Sequence, residues 1–304
     1  MIIEKYSGII PAFYACYDNN GNVNSLAIEQ FTAHLISKGV KGLYVCGSSG
    51  ECIYQSIEER KQILAHVMKV AKGKITVIAH VAANNTKDSC ELAAHAESLG
   101  VDAIAAIPPI YFRLPDHAII EYWNTISRSA PNTDFIIYNI PQLAGVALTP
   151  SALREMLKNP RVIGVKNSSM PTMDIQTFKS IGGENFVVFN GPDEQLAAGL
   201  TMGAIGGIGG TYGVMPELYI KIKNLIDAGD VKGAFNLQSK ANEIISKLVS
   251  CHGNLYAVIK AIIKIREGID LGGVRSPLPQ ITEEDLPKIK ETARLIGDVL
   301  NSIK

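Results

Sequence analysis

Eight short apolar runs recur along the chain, and each is followed by a segment with helical periodicity. They cover residues 8–13, 42–46, 75–79, 102–106, 134–138, 161–165, 186–189 and 204–208. Their starts lie roughly 20 to 35 residues apart, the length of a strand plus a crossover helix. Unbroken apolar strands are those buried on both faces, as in parallel sheets. Eight alternating strand and helix units imply a parallel sheet closed on itself, a (β/α)8 TIM barrel. An open doubly wound sheet is the alternative. It needs only five or six strands, and no G-x-G-x-x-G follows the first run.

The intervening segments carry helix signals. Ile28, Phe31, Leu35 and Ile36 form one stripe that ends before Gly39. Ser56 with Glu59 forms a capping box, Thr86 is placed as an N-cap, and Pro150 follows Thr149 at a first helical position. A barrel takes about 250 residues. The chain has 304, and the excess lies at the C-terminus, where 234–250, 255–266 and 283–300 read as helices. The expected organisation is a barrel over 1–228 and a C-terminal helical extension over 229–304, packed beside it as one structural unit.

Composition narrows the function classes. Lys plus Arg and Asp plus Glu both number 29, so the formal net charge is zero. No basic field draws the chain to nucleic acid or to an anionic membrane, and neutrality favours self-association. Met1-Ile2-Ile3 is cut short by Glu4 and Lys5, so no secretory leader is expected. No apolar run approaches the ~20 residues of a membrane span. The five cysteines, Cys16, Cys46, Cys52, Cys90 and Cys251, show no zinc spacing. They read as reduced thiols of a cytosolic protein. The six histidines form no ligand pair, and only His80 falls near a strand end, so no metal is expected.

In such a barrel the chemistry sits at the carboxyl ends of the strands. The sixth run ends in Lys166, followed by Asn167, Ser168 and Ser169. Alone, this lysine is either one that snorkels to water or a desolvated amine suited to attack carbonyls. Gly47-Ser48-Ser49-Gly50-Glu51 follows the second run, as a plain turn or as a cradle of amides and hydroxyls for an anion. Tyr138 ends the fifth run, as a core aromatic or as a proton carrier. Asp193 and Glu194 follow the seventh, as binders of substrate hydroxyls or as the acidic first turn of a helix. A lysine, a tyrosine on the neighbouring strand and an anion cradle at one rim have a joint meaning. They can form a Schiff base with a 2-keto acid, hold its carboxylate and shuttle protons as a carbon–carbon bond forms or breaks. The protonated imine is itself the electron sink, so no cofactor is required.

Three motifs, Gly47-Ser48-Ser49-Gly50-Glu51, Tyr138-Asn139-Ile140-Pro141 with Gly145, and Gly164-Val165-Lys166-Asn167-Ser168, carry a family resemblance. From the first strand to about residue 215 the chain resembles the N-acetylneuraminate lyase and dihydrodipicolinate synthase superfamily of pyruvate-dependent Schiff-base aldolases. The resemblance implies that Lys166 forms the Schiff base, that Ser48 and Ser49 hold the pyruvate carboxylate, and that Tyr138 transfers protons. Tyr111 matches a tyrosine that reaches a neighbouring subunit's site, and the implied assembly is a homotetramer.

Within the superfamily, dihydrodipicolinate synthases are expected to carry an arginine two residues after the proline of the tyrosine motif. Leu143 stands there, and it cannot bind a carboxylate. The lyase-like pattern is Tyr-Asn-Ile-Pro-x-Leu-x-Gly, which this chain has. Gly191, Asp193 and Glu194 then imply contacts to the polyhydroxy tail of a sialic acid. Ser49 and Ser168 stand where threonines are usual, and Gly210 where bacterial lyases often have serine. The expected activity is cleavage of sialic acid to pyruvate and N-acetylmannosamine. The alternatives are an aldolase for another 2-keto-3-deoxy sugar acid, a dihydrodipicolinate synthase, or a non-catalytic sugar-acid-binding barrel.

Overall fold

The computed structural model describes residues 2–303 and turns the eight runs into eight parallel strands. They are β1 (Ile9–Pro11), β2 (Gly42–Val45), β3 (Thr76–His80), β4 (Ala103–Ala106), β5 (Asp134–Asn139), β6 (Val162–Asn167), β7 (Val187–Asn190) and β8 (Gly206–Gly209). Each pairs with the next from β2 to β8, and β8 pairs with β1. A parallel bridge between Ala12 and Tyr44 closes the ring, with the Phe13 N–H donating to the Tyr44 carbonyl at 2.9 Å. That bridge joins β1 and β2, the two end strands of the sheet, so the barrel is nearly closed.

The strands are apolar throughout because each has two faces to bury. Tyr44, Ile78, Ala105, Ile136, Tyr138, Val187, Phe189 and Ile208 fill the barrel interior. Leu43, Val45, Val77, Ile104, Phe135, Ile137, Val165 and Val188 face outward against the helices. One irregularity matters for chemistry. Pairing jumps from Phe135 with Val162 to Ile136 with Gly164, so Ile163 is an extra residue in β6. Beyond that bulge Tyr138 stands opposite Lys166, on the inward face.

The Ser56–Glu59 capping box opens helix Ile57–Ala71, and Thr149 caps helix Pro150–Met156 with Pro150 first, as expected. Thr86 is not a cap. Asn85 accepts from the Asp88 N–H, and Thr86 is the first helical residue of Thr86–Leu99. Helix Ile2–Tyr6 has no counterpart among the expected elements. It places Tyr6 under the amino end of the barrel, with its hydroxyl 2.8 Å from the Asp102 carbonyl and 2.9 Å from the Asp134 carboxylate.

The extension folds into helices Val231–Val249, Leu255–Glu267 and Leu286–Ser302. Ile244, Leu248, Ile259 and Ile296 share one apolar core with Tyr14, Phe31 and Leu218 of the barrel's outer layer. Each such side chain contributes about 1.5–3 kcal/mol by leaving water. Among the described residues no helix is long and apolar enough to cross a membrane.

Candidate active site

Lys166 lies at the carboxyl end of β6 and is 4% exposed. Its Nζ is 4.0 Å from the Tyr138 ring centroid and 4.3 Å from that of Tyr44. Two aromatic faces attract an ammonium but replace its water only in part. Burial dominates and pushes the amine down to about 7 from the ordinary lysine value, while the charges of Asp193 and Cys52 act the other way. A large fraction of Lys166 is therefore neutral and nucleophilic near pH 7. The snorkelling alternative does not describe this side chain.

Tyr138 is 3% exposed, and burial raises its phenol to about 12, opposed by hydrogen bonding with the Ser168 and Ser48 hydroxyls. It is a neutral phenol at pH 7, touching hydroxyls from two different loops. The geometry suits a relay that takes a proton on one side and releases one on the other. Ser168 is held by its N–H, which donates to the Asn139 carbonyl at 2.7 Å. Gly191 approaches so closely that a Cβ there would fall on the Ser168 hydroxyl oxygen. A side chain at 191 would displace one partner of Tyr138.

The Gly47–Glu51 segment is a tight turn after β2. Ser48–Gly50 forms a single 3-10 turn, closed by the Glu51 N–H donating to the Ser48 carbonyl at 3.0 Å. The first N–H groups of such a turn have no internal acceptor, so the segment offers amide and hydroxyl donors together. Gly47 is needed for packing: a Cβ there would meet the Tyr44 ring at 2.6 Å. The turn thus rides over Tyr44, one of the two rings that face Lys166.

His80 ends β3 inside the barrel, packed against Tyr44 and Tyr138. Its Nδ1 is 2.9 Å from the Cys46 carbonyl, and burial holds the ring far below the usual histidine value, so it is neutral. His80 Nε2 and Tyr44 Oη find no partner among the described residues.

Asp193 is both a rim residue and a structural one. Its Oδ2 accepts from the Thr211 N–H and from the Thr211 hydroxyl, each at 2.6 Å. Burial raises its carboxyl to about 6, against those two hydrogen bonds. It sits in a short 3-10 turn, Asp193–Gln195, rather than in the first turn of an α-helix, and Glu194 beside it is exposed. Gly210 is half-buried. A Cβ there would come within 3.1 Å of Tyr256 Oη and 3.2 Å of Ser49 Oγ. Tyr256, from the C-terminal extension, occupies the space beside Gly210, and its hydroxyl accepts from Ser49 Oγ at 2.9 Å. No sequence pattern pointed to it. Tyr111 does not join this group. It is 90% exposed with φ +86°, and its ring stacks edge-on with Phe112.

A cavity of about 770 Å³ opens at the opposite, amino end of the barrel, between Gly8, Lys41, Thr76 and Asp102. It holds none of these residues. In barrels of this kind that end serves stability rather than chemistry.

Comparison with known proteins agrees with the geometry. The model of the dihydrodipicolinate synthetase family matches residues 5–295. An N-acetylneuraminate lyase of Mediterraneibacter gnavus is 64% identical over 296 residues, covering 97% of this chain and 94% of that protein. An N-acetylneuraminate lyase of Citrobacter koseri is 33% identical over 94% of this chain and 96% of its own length. A solved structure of a Ruminococcus gnavus sialic acid aldolase, a catalytic lysine mutant, superimposes with a TM-score of 0.98 at 62% identity over 99% of each chain.

Proposed function

The chain belongs to the dihydrodipicolinate synthetase family, and from that premise we propose that it is an aldolase cleaving N-acetylneuraminate to N-acetylmannosamine and pyruvate. Three things support this choice. The lyase relatives are similar over nearly the whole chain. Leu143 stands where a synthase would need an arginine. Lys166, the observation that carries the chemistry, is buried, has no hydrogen-bonded counter-charge among the described residues, and is partly neutral near pH 7.

The neutral Lys166 amine adds to the C2 ketone of the open-chain sugar acid. Loss of water gives a protonated imine. Tyr138 takes the proton of the C4 hydroxyl, relaying one through Ser48 or Ser168. The C3–C4 bond then breaks, and its electron pair moves into the imine to give an enamine. The aldehyde leaves as N-acetylmannosamine. A proton returns to C3, and water releases pyruvate and regenerates Lys166. Ser48 and Ser49 hold the carboxylate throughout. Gly191, Asp193 and Glu194 line the way to the polyhydroxy tail, and Gly210 leaves room beside Tyr256.

The assembly is a homotetramer in which Tyr111, exposed in the single chain, reaches a neighbouring site. Five free thiols fit a reducing compartment, the cytoplasm. The test is a coupled assay for pyruvate release over a panel of sugar acids. Cleavage of N-acetylneuraminate is expected. Cleavage of 2-keto-3-deoxygluconate with no action on N-acetylneuraminate would overturn the substrate assignment.

A further inference from the structure

One helix of the C-terminal extension reaches the turn that carries Ser48 and Ser49. Tyr256 and Lys260 lie four residues apart on helix Leu255–Glu267, so both project from one face. Tyr256 meets Ser49, as described. Lys260 Nζ donates to Glu51 Oε1 at 2.7 Å and to the Gly273 carbonyl at 2.7 Å. The two charged side chains are 1% and 0% exposed. The second carboxylate oxygen of Glu51 accepts from the Arg275 N–H at 2.8 Å. The Tyr17 ring lies against both cations, 5.0 Å from Lys260 Nζ and 4.6 Å from Arg275 Cζ. Arg275 in turn pairs with Glu59, on the helix that follows the turn.

Glu51 has left-handed backbone, φ 58° and ψ 29°. That region is uncommon for a residue with a side chain and is usually left to glycine. Such a conformation persists where the surroundings over-determine it. Here both carboxylate oxygens are held from the extension, and the Glu51 N–H closes the Ser48–Gly50 turn.

The geometry points to Lys260 as a positioning residue for the carboxylate cradle. Lys260 holds Glu51, Glu51 holds the turn, and the turn presents Ser48 and Ser49 to the keto acid. Lys260 itself touches no substrate. This rests on the proposed function in one respect, that a 2-keto acid carboxylate occupies the turn. A buried ion pair kept for stability alone would be a poor choice, since apolar residues of similar volume are often as good or better. Its place behind the cradle gives it a reason.

The test uses the full-length protein and the double variant Glu51→Gln, Lys260→Met. The amide keeps an acceptor for the Arg275 N–H, and methionine fills the lysine's volume without leaving an unpaired charge. Borohydride trapping is measured against pyruvate concentration, beside KM and kcat for sialic acid cleavage, with circular dichroism reporting the fold. Because the cradle binds substrate and transition state alike, the half-saturating pyruvate concentration and KM should rise ~10-fold or more. The maximal trapping rate should change far less. A folded double variant that saturates at the wild-type pyruvate concentration overturns the inference. So does a fall in maximal rate with unchanged half-saturation. Should the double variant not fold, Glu51→Gln alone is read by the same two criteria, since Lys260 can shed its proton. Wild-type protein run in parallel separates the two claims. No wild-type adduct sinks the aldolase assignment itself. A wild-type adduct with unshifted variant saturation sinks only the role of Lys260.

Discussion

Lys166 and Lys260 are buried to nearly the same depth, 4% and 1% exposed, in opposite surroundings. Lys260 faces a carboxylate and a carbonyl, both at 2.7 Å. Lys166 faces two aromatic rings, and Asp193 acts on it through its charge, with no hydrogen bond between them among the described residues. Burial pulls both amines below the usual lysine range; Glu51 opposes it directly at Lys260. The contrast shows how one residue type serves two ends. A lysine hydrogen-bonded to a carboxylate and a carbonyl fixes a shape. An unpaired one is left with a reason to lose its proton and react.

The largest test of that contrast is removal of the unpaired amine. Lys166→Ala should reduce turnover by at least ~10⁴-fold, since it removes the amine proposed to form the imine. Circular dichroism should be unchanged, and the pyruvate-release assay checks the rate. Tyr138→Phe should lower kcat by ~10²–10⁴-fold, the usual size of a lost proton-transfer group. Its pyruvate half-saturation should move little, because the serine cradle remains.

Stability should split the two lysines in opposite directions. Lys260→Met leaves Glu51 buried and unpaired and should destabilise by about 3–5 kcal/mol in urea unfolding. Lys166→Met should stabilise. The folded-state value of Lys166 is depressed to about 7, so at and below pH 7 the folded protein bears the full cost of a buried charge. The unfolded chain keeps its proton up to its ordinary value. The penalty is therefore relieved as pH rises from about 7 toward about 10.4. Each pH unit between the folded and unfolded titration points is worth roughly 1.4 kcal/mol. The gain from Lys166→Met should thus be a few kcal/mol at pH 6 and shrink toward pH 10. A gain that grew with pH would contradict this sign. The smallest effect is expected at Tyr44→Phe. Its hydroxyl is buried without a partner among the described residues, so removal should change stability by less than about 1 kcal/mol. The ring beside Lys166 stays in place.

The barrel was legible because strands buried on both faces write continuous apolar runs, and eight of them leave few topologies. Lys166 and Tyr138 were legible as strand-end residues once the fold assigned them to the same rim. Their facing register was not, since it depends on the bulge at Ile163. Helix Ile2–Tyr6 is too short to show a period. Asn85 and Thr86 are both capping residues one position apart, and the backbone chose the first. Tyr256 and Lys260 stayed hidden for a different reason. They meet the cradle across 207 and 209 residues of chain, from a helix that reads as an ordinary apolar stripe. Asp193 could be read as a substrate ligand or as a helix first turn, and its bonds to Thr211 supply a further role that no local pattern encodes.

The claim that the unpaired lysine is the reacting one is tested most directly by trapping. Protein incubated with pyruvate and borohydride near pH 7 should gain one reduced adduct per chain. Peptide mapping should place it on Lys166, and the rate of trapping should rise about tenfold per pH unit below about 7 and level off above it. No adduct, or an adduct on Lys260 or a surface lysine with Lys166 unmodified, would contradict the account.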